Sequence, residues 1–123
     1  MDFAFERLEV WQIAMRLVRE VYLVTAAFPR TETFGLTSQL RRAAVSIPVN
    51  IAEGEGRYHK KEFVQFLYNA RGSLYETMTL LQAGADLQYL KTTDHQRLIR
   101  LTQQIGSKLS GLINSLKQTP ALL

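Results

Sequence analysis

The sequence predicts an all-α protein, an antiparallel up-down four-helix bundle whose second helix is kinked at Pro48. Apolar residues recur at steps of three and four along four segments, which is the spacing of amphipathic helices. Prolines occur only at positions 29, 48 and 120, and no stretch sustains the alternation typical of strands. Because the links between segments are short, neighbouring helices should run antiparallel. We expect a single domain over residues 1–123.

The first helix is predicted over residues 8–28, and Pro29 should end it. Its polar residues form one narrow stripe, and nearly all the others are apolar. A surface helix normally carries an apolar face on one side only. We therefore expect this helix to bury two sides.

The second helix is predicted over residues 34–57 and contains the segment SIPVNIAEGEGR. Its polar side chains stay in phase across Pro48, which predicts one kinked helix rather than two helices and a loop. Gly54 and Gly56 should form the exit, because glycine adopts the left-handed conformation of helix ends most easily. The segment lacks the lysine and spacing of a phosphate-binding loop.

The third helix is predicted over residues 60–88. Beside its core face it carries an apolar strip that a single small bundle does not require, formed by Val64, Tyr68, Tyr75 and Met78. The fourth helix is predicted over residues 93–118, with Thr93 and Gln96 as a capping box. Thr119 and Pro120 should end it.

Composition narrows the class of protein. No apolar run reaches the roughly 18–20 residues of a membrane span, and no export signal is recognisable, so a cytoplasmic location is expected. Cysteine is absent, which excludes disulfides and thiolate catalysis. The net charge is +4, and the whole excess falls after Leu90. Such a charge permits an anionic partner, although solubility alone would explain it.

A polar ribbon along the second and third helices predicts a structural seam that fixes helix register, with Glu53 and Glu76 paired to arginines. No histidine lies on this ribbon to serve as a base, so we expect no catalytic residue. His59 and His95 lack suitable partner ligands, and we expect neither a metal site nor a cofactor. The predicted seam comprises Arg42, Ser46, Asn50, Glu53 and Glu76.

Two groups of basic residues are candidates for nucleic-acid contacts. One is a stripe on the fourth helix with no acidic residue among its members, which suits an anion-binding surface and equally a solvated face. The other is a short run of cations with interleaved aromatic residues between the second and third helices, a composition that suits phosphate contacts and base stacking. The candidates are Arg97, Arg100 and Lys108 in the stripe, and Arg57, Lys60 and Lys61 in the run.

Several segments together resemble one protein family. The run FGLTSQLRRAAVSIPVNIAEGEGR (34–57) is followed by KEFVQFLYNARGSLYE (61–76) and LQYL (87–90), and preceded by FERLEVWQIAMRLV (5–18). This pattern strongly resembles the four-helix-bundle proteins encoded in intervening sequences of 23S rRNA genes, often labelled S23 ribosomal proteins. Accessory proteins of diversity-generating retroelements resemble the same fold. His59 and Gln88 depart from the pattern, which usually has a small hydroxyl residue and a glycine there.

The resemblance implies a homopentamer, and accessory proteins of the similar retroelement type bind nucleic acid and a reverse transcriptase. We therefore expect a non-enzymatic oligomer that binds nucleic acid, with RNA favoured. The alternative is a scaffold that binds a protein partner and has no nucleic-acid role. The residues alone leave the natural partner and the choice between RNA and DNA open.

Overall fold

The computed structural model describes residues 3–118 and shows an all-α four-helix bundle. Two short 3-10 turns, Ala4–Arg7 and Arg30–Glu32, precede the first and second helices. The helices are α1 (Glu9–Thr25), α2 (Leu36–Glu55), α3 (Lys60–Asp86) and α4 (Thr92–Gln118). Among the described residues, no helix has the length and apolar character needed to cross a membrane.

Contacts between helices show how the bundle is arranged. Glu9 and Glu20 of α1 pair with Lys108 and Arg97 of α4, in that order, so residue numbers rise along one helix as they fall along the other. The same reversed order relates α2 to α3, where Ser46 contacts Ser73 and Gly54 approaches Phe66. These are the contacts of antiparallel neighbours.

The helix ends differ from the predicted ones by up to three residues. α1 ends at Thr25, and Phe28 leaves the helix to pack against Tyr89 with ring centroids 5.6 Å apart. α4 begins at Thr92, so Thr93 lies inside the helix and is not its cap. The predicted stop at Thr119 and Pro120 lies outside the described residues.

The core runs the length of the bundle and takes side chains from all four helices. Removing aliphatic surface from water is the main stabilising contribution to such a fold. The largest fully buried aliphatic side chains are Leu17 and Val21 of α1, Leu40, Ile47 and Ile51 of α2, Leu67, Leu74 and Leu81 of α3, and Leu98, Ile105 and Leu109 of α4.

Helix α2 continues through Pro48 without interruption. Leu40 and Ile51, on either side of the proline, are both fully buried in the same core cluster. The prediction that the segment forms one helix rather than a loop is therefore correct. The kink itself stays a prediction, based on the backbone hydrogen bond that proline cannot donate to Ala44.

The glycines at the end of α2 have a different role from the predicted one. No glycine among residues 3–118 has a positive φ, and Gly56 is in the right-handed helical region with φ −75°. Gly54 lies inside the helix and is buried against α3. A β-carbon there would lie 2.6 Å from Cβ of Phe66, a distance that real β-carbons do not reach. Gly54 thus allows α2 and α3 to pack closely, and it does not end α2 in the left-handed conformation.

The left-handed conformation occurs instead at the end of α3, at Gln88, with φ 64°. The N–H of Tyr89 donates to the carbonyl of Gly84 at 2.9 Å, and the N–H of Gln88 donates to that of Ala85 at 3.0 Å. This pair of bonds is a Schellman motif, in which the residue at the Gln88 position is usually glycine. Gln88 therefore occupies a position where a side chain is strained.

We expect Gln88→Gly to raise the free energy of unfolding by about 0.5–1 kcal/mol, because it removes the strain of a side chain at positive φ. Urea unfolding followed by circular dichroism measures the change. Gln103→Gly is the matched control, since Gln103 is exposed within α4 and glycine should destabilise the helix there by a similar amount. Equal losses in both variants would contradict the strain at Gln88.

Candidate nucleic-acid interface and assembly surface

The stripe of Arg97, Arg100 and Lys108 lies on the surface of α4, where Arg100 is exposed and the other two are partly buried. Two of its three cations are paired. Arg97 donates to Asp94 at 2.7 Å and to Glu20 of α1 at 3.3 Å. The hydrogen bond to Asp94 raises the pKa of Arg97, burial opposes this, and the charge of Glu20 supports it. The guanidinium therefore stays charged and in contact with two carboxylates.

Lys108 donates to Glu9 of α1 at 2.7 Å, and Arg100 has no ion pair among the described residues. The expectation that the whole stripe consists of unpaired cations is therefore wrong. Exposed ion pairs add little stability, but they cancel most of the field that would attract a phosphate. Two of the three partner carboxylates, Glu20 and Glu9, lie 77 and 99 residues away along the chain, so the sequence of α4 alone did not reveal them. The third, Asp94, lies in α4 three residues before Arg97.

The second group of cations lies at one end of the bundle and is larger than predicted. Lys60 and Lys61 of α3 share a shallow groove of about 330 Å³ with Lys117 of α4, floored by Val64 and Leu116. Periodicity along α4 alone did not identify Lys117, because its place beside α3 depends on the antiparallel packing.

Arg57 completes this group at the exit of α2, where its guanidinium lies 4.7 Å from the centre of the Phe66 ring. We call Arg57, Lys60, Lys61 and Lys117 the basic end. None of the four is in an ion pair with a carboxylate among residues 3–118. Glu62 is also exposed in the first turn of α3 and lowers the net charge there.

Tyr58 lies within the basic end and is 94% exposed. Its ring meets that of His59 edge-on, with centroids 4.9 Å apart. His59 is the N-cap residue of α3, yet its side chain makes no capping hydrogen bond. The first turn of α3 is thus open to solvent, with cations and an aromatic ring side by side.

The polar seam is shorter than predicted. The hydroxyls of Ser46 and Ser73 lie 2.7 Å apart, and the side-chain amide of Asn50 donates to the Ser46 carbonyl at 2.8 Å and to its hydroxyl at 3.0 Å. The contact between the two serines links α2 to α3, whereas the bonds of Asn50 stay within α2 and orient Ser46. Ser73 of α3 was not among the predicted members.

The charged members of the predicted seam lie outside it. Arg42, Glu53 and Glu76 are exposed, and neither glutamate pairs with an arginine in the described part of the chain. The prediction that these three residues lie on the polar side of their helices is correct. That side, however, faces water and not the contact between α2 and α3.

The surface between α1 and α2 is apolar and open. A groove of about 340 Å³ runs between the two helices, and every side chain that lines it is apolar. Beyond its α1 side, Leu23 is 70% exposed. We call this surface the α1–α2 groove, lined by Trp11, Met15, Val18, Val45, Pro48, Val49 and Ala52.

The apolar strip predicted on the third helix is mostly used within the bundle. Val64, Tyr68 and Met78 are partly buried against the core. Tyr75 is the strip member that remains largely exposed, at 58%. The excess apolar surface of a single chain therefore lies on α1 and α2 rather than on α3.

The histidines occupy different environments. His59 is exposed, whereas His95 lies in α4 with its Nε2 atom buried and without a hydrogen-bond partner among the described residues. His95 is thus not the exposed turn residue that the sequence indicated. Residues 3–118 contain no group of three or more His, Asp or Glu side chains placed to hold a metal ion.

Comparison with known proteins gives the family. The model of the family described as 23S rRNA-intervening sequence protein matches residues 6–111. A 1.70 Å crystal structure from Bacteroides thetaiotaomicron, of a protein with unknown function from the S23 ribosomal protein family, has the same fold with a TM-score of 0.76. It is 23% identical, and the match covers 85% of this chain and 97% of that chain.

No curated protein matches the sequence. The family match spans all four helices, from the turn before α1 to residue 111 of α4. The fold comparison agrees with it over most of both chains. The chain therefore belongs to the 23S rRNA-intervening sequence protein family.

Proposed function

We propose that this protein is a non-enzymatic homo-oligomer, a pentamer, that binds nucleic acid, and RNA in particular, through the basic end. The observation that carries this proposal is the group of four cations without carboxylate partners among the described residues, which comes from the link after α2 and from α3 and α4, beside the exposed Tyr58. Such a surface offers phosphate contacts and a ring on which an unpaired base can stack.

Assembly of several copies would bring several basic ends together on one particle. Because the α1–α2 groove presents only apolar side chains, it is suited to pack against a different surface of the next copy, as the head-to-tail interfaces of a ring require. Five copies of a chain with net charge +4 would carry a charge of +20. Several basic ends on one particle bind a polyanion with an avidity that a single end lacks.

Replacing Lys60, Lys61 and Lys117 together by glutamine should weaken binding to all nucleic acids, because phosphate contacts do not depend on sequence. The slope of log affinity against log salt should fall by about 0.9 per lost contact on duplex DNA and about 0.7 on single strands. Fluorescence anisotropy with structured RNA, single-stranded RNA and duplex DNA over a salt series measures both quantities.

The matched control replaces Arg97, Arg100 and Lys108 by glutamine, which removes the same formal charge from α4. Since Arg97 and Lys108 already contact carboxylates, this control should lose less affinity. If both triple variants lose the same affinity, binding depends on overall charge and the basic end is not its site. If the first variant binds like the parent protein at low salt, the proposal fails.

The second candidate function is a scaffold that presents a surface to a protein partner. The α1–α2 groove favours it, as do the ion pairs that neutralise the stripe on α4. The same titration separates the two candidates. A parent protein that binds none of the three nucleic acids at low salt would contradict the first candidate and leave the scaffold as the better one.

A further inference from the structure

A second polar concavity lies at the opposite end of the bundle from the basic end. It has a volume of about 380 Å³ and is formed by the end of α1, the link to α2 and the first half of α2. No carboxylate lines it. The residues used below, Thr33, Phe34, Thr37, Ser38, Arg41 and Arg42, all line this pocket, which we call the arginine pocket.

Arg41 is held in place before any ligand binds. Its Nε donates to the hydroxyl of Thr25 at 2.9 Å, and its guanidinium lies 4.5 Å from the centre of the Tyr22 ring. Thr25 is buried, and its hydroxyl in turn donates to the carbonyl of Val21 at 2.7 Å. These contacts engage Nε and one face of the guanidinium, while its other N–H groups have no partner among the described residues.

The charge around Arg41 is not neutralised. No ion pair joins Arg41 or Arg42 to a carboxylate within residues 3–118. The acidic residue of the preceding link, Glu32, is occupied elsewhere, since it accepts the N–H of Leu36 and the hydroxyl of Tyr89, both at 3.1 Å. Two arginines therefore line one open pocket without a counter-charge.

The hydroxyl groups of the pocket also lack partners. Thr37 is only 8% exposed, yet its hydroxyl makes no hydrogen bond to any part of the chain that the structure describes. Thr33 and Ser38 likewise make no side-chain hydrogen bond there. These hydroxyls therefore face the pocket with their hydrogen-bonding capacity unused by the described chain, and each can donate to a ligand oxygen.

Phe34 lies on the rim of the same pocket and is 95% exposed. An aromatic side chain left almost wholly in water forgoes the burial that normally stabilises it. Beside two arginines, its flat face is suited to stack on a second flat ring.

We propose that the arginine pocket binds a phosphate monoester joined to a flat ring. Arg41 and Arg42 hold the phosphate, because guanidinium groups match its oxygens in pairs. The hydroxyl of Thr37 donates to a remaining oxygen, and Phe34 stacks on the ring. A nucleoside monophosphate and the 5′-phosphorylated end of a strand share this chemistry. The site is separate from the basic end and does not depend on it.

Isothermal titration with adenosine 5′-monophosphate tests the site, with inorganic phosphate and adenosine as partial ligands. The monophosphate should bind more tightly than either. Arg41→Gln should weaken it about tenfold or more, as expected for lost hydrogen bonds between charged groups. Phe34→Leu should weaken the monophosphate about fivefold and leave inorganic phosphate unchanged.

Because Arg41 also packs on Tyr22, Arg42→Gln provides a second variant whose exposed side chain has no packing role. It should bind the monophosphate less tightly while its unfolding curve stays unchanged. Arg100→Gln removes the same charge from an exposed site on α4, and the glutamine variant of Lys60, Lys61 and Lys117 removes the basic end. Both controls should bind like the parent protein.

Short oligonucleotides with a 5′-phosphate or a 5′-hydroxyl distinguish the two sources of the ligand. Binding of the free monophosphate identifies a nucleotide site, and binding of the 5′-phosphorylated strand alone identifies a strand-end site. If neither phosphorylated compound binds, the proposal is wrong. It is equally wrong if Arg42→Gln and Arg100→Gln reduce binding by the same factor.

Discussion

Replacing Gly54 by alanine is expected to lower the free energy of unfolding by about 1–3 kcal/mol, the usual cost of overpacking a tight contact. The new β-carbon would lie 2.6 Å from Cβ of Phe66 and 3.0 Å from Cδ1 of Phe63. The Cβ of Phe66 is fixed by its backbone and cannot rotate away, so α2 and α3 must move apart. This cost exceeds the roughly 0.5–1 kcal/mol by which alanine favours a helix over glycine.

Gly72→Ala is the matched control. Gly72 is exposed within α3, and a β-carbon there meets no atom within 4 Å. Only the helix preference remains, so this variant should be more stable than the parent protein by about 0.5–1 kcal/mol. Urea unfolding at a fixed protein concentration compares the two, since the stability of an oligomer depends on concentration. Gains of the same sign in both variants would show that α2 and α3 do not need glycine at position 54.

Val49→Glu is expected to convert the proposed oligomer into monomers. Val49 lines the α1–α2 groove and is 45% exposed in a single chain, so one chain tolerates a glutamate there. Covering the groove with another copy would bury that carboxylate among Trp11, Met15 and Val18 without a counter-charge. Burying an unpaired charge costs several kcal/mol at each interface, enough to dissociate most assemblies.

Light scattering during size-exclusion chromatography at micromolar concentration measures the mass. The parent protein should elute as about five chains, as the family resemblance implies, and Val49→Glu as one. Tyr75→Glu is the control, because Tyr75 is an exposed apolar residue of α3 outside the groove. Dissociation by Tyr75→Glu and not by Val49→Glu would place the interface on α3, and a monomeric parent would exclude self-assembly.

The four helices can be predicted from the sequence because the pattern that identifies a helix lies within the helix itself. Apolar spacing of three and four residues identifies each buried face, and the unbroken phase of the polar residues across Pro48 predicts a continuous helix. The predicted ends of the helices were less accurate, because a helix end depends on contacts with residues that are distant in the chain. Phe28, for example, leaves α1 because it packs beside Tyr89, which is 61 residues further along the chain.

The candidate sites follow from sequence only in part, because each surface combines two helices. The basic residues of α4 looked unpaired until the antiparallel packing brought Glu9 and Glu20 beside them. Lys117 became a neighbour of Lys60 for the same reason. The packing role of Gly54 was equally hidden, since it depends on how closely α3 approaches α2.

The α1–α2 groove contains the single tryptophan of the chain, Trp11. Indole emission depends on how much water surrounds the ring, and Trp11 is only half-buried. Because no second indole contributes, the tryptophan emission of the whole protein, excited where tyrosine does not absorb, comes from this one surface. Tryptophan emission therefore reports, in unlabelled protein, how much water reaches this groove.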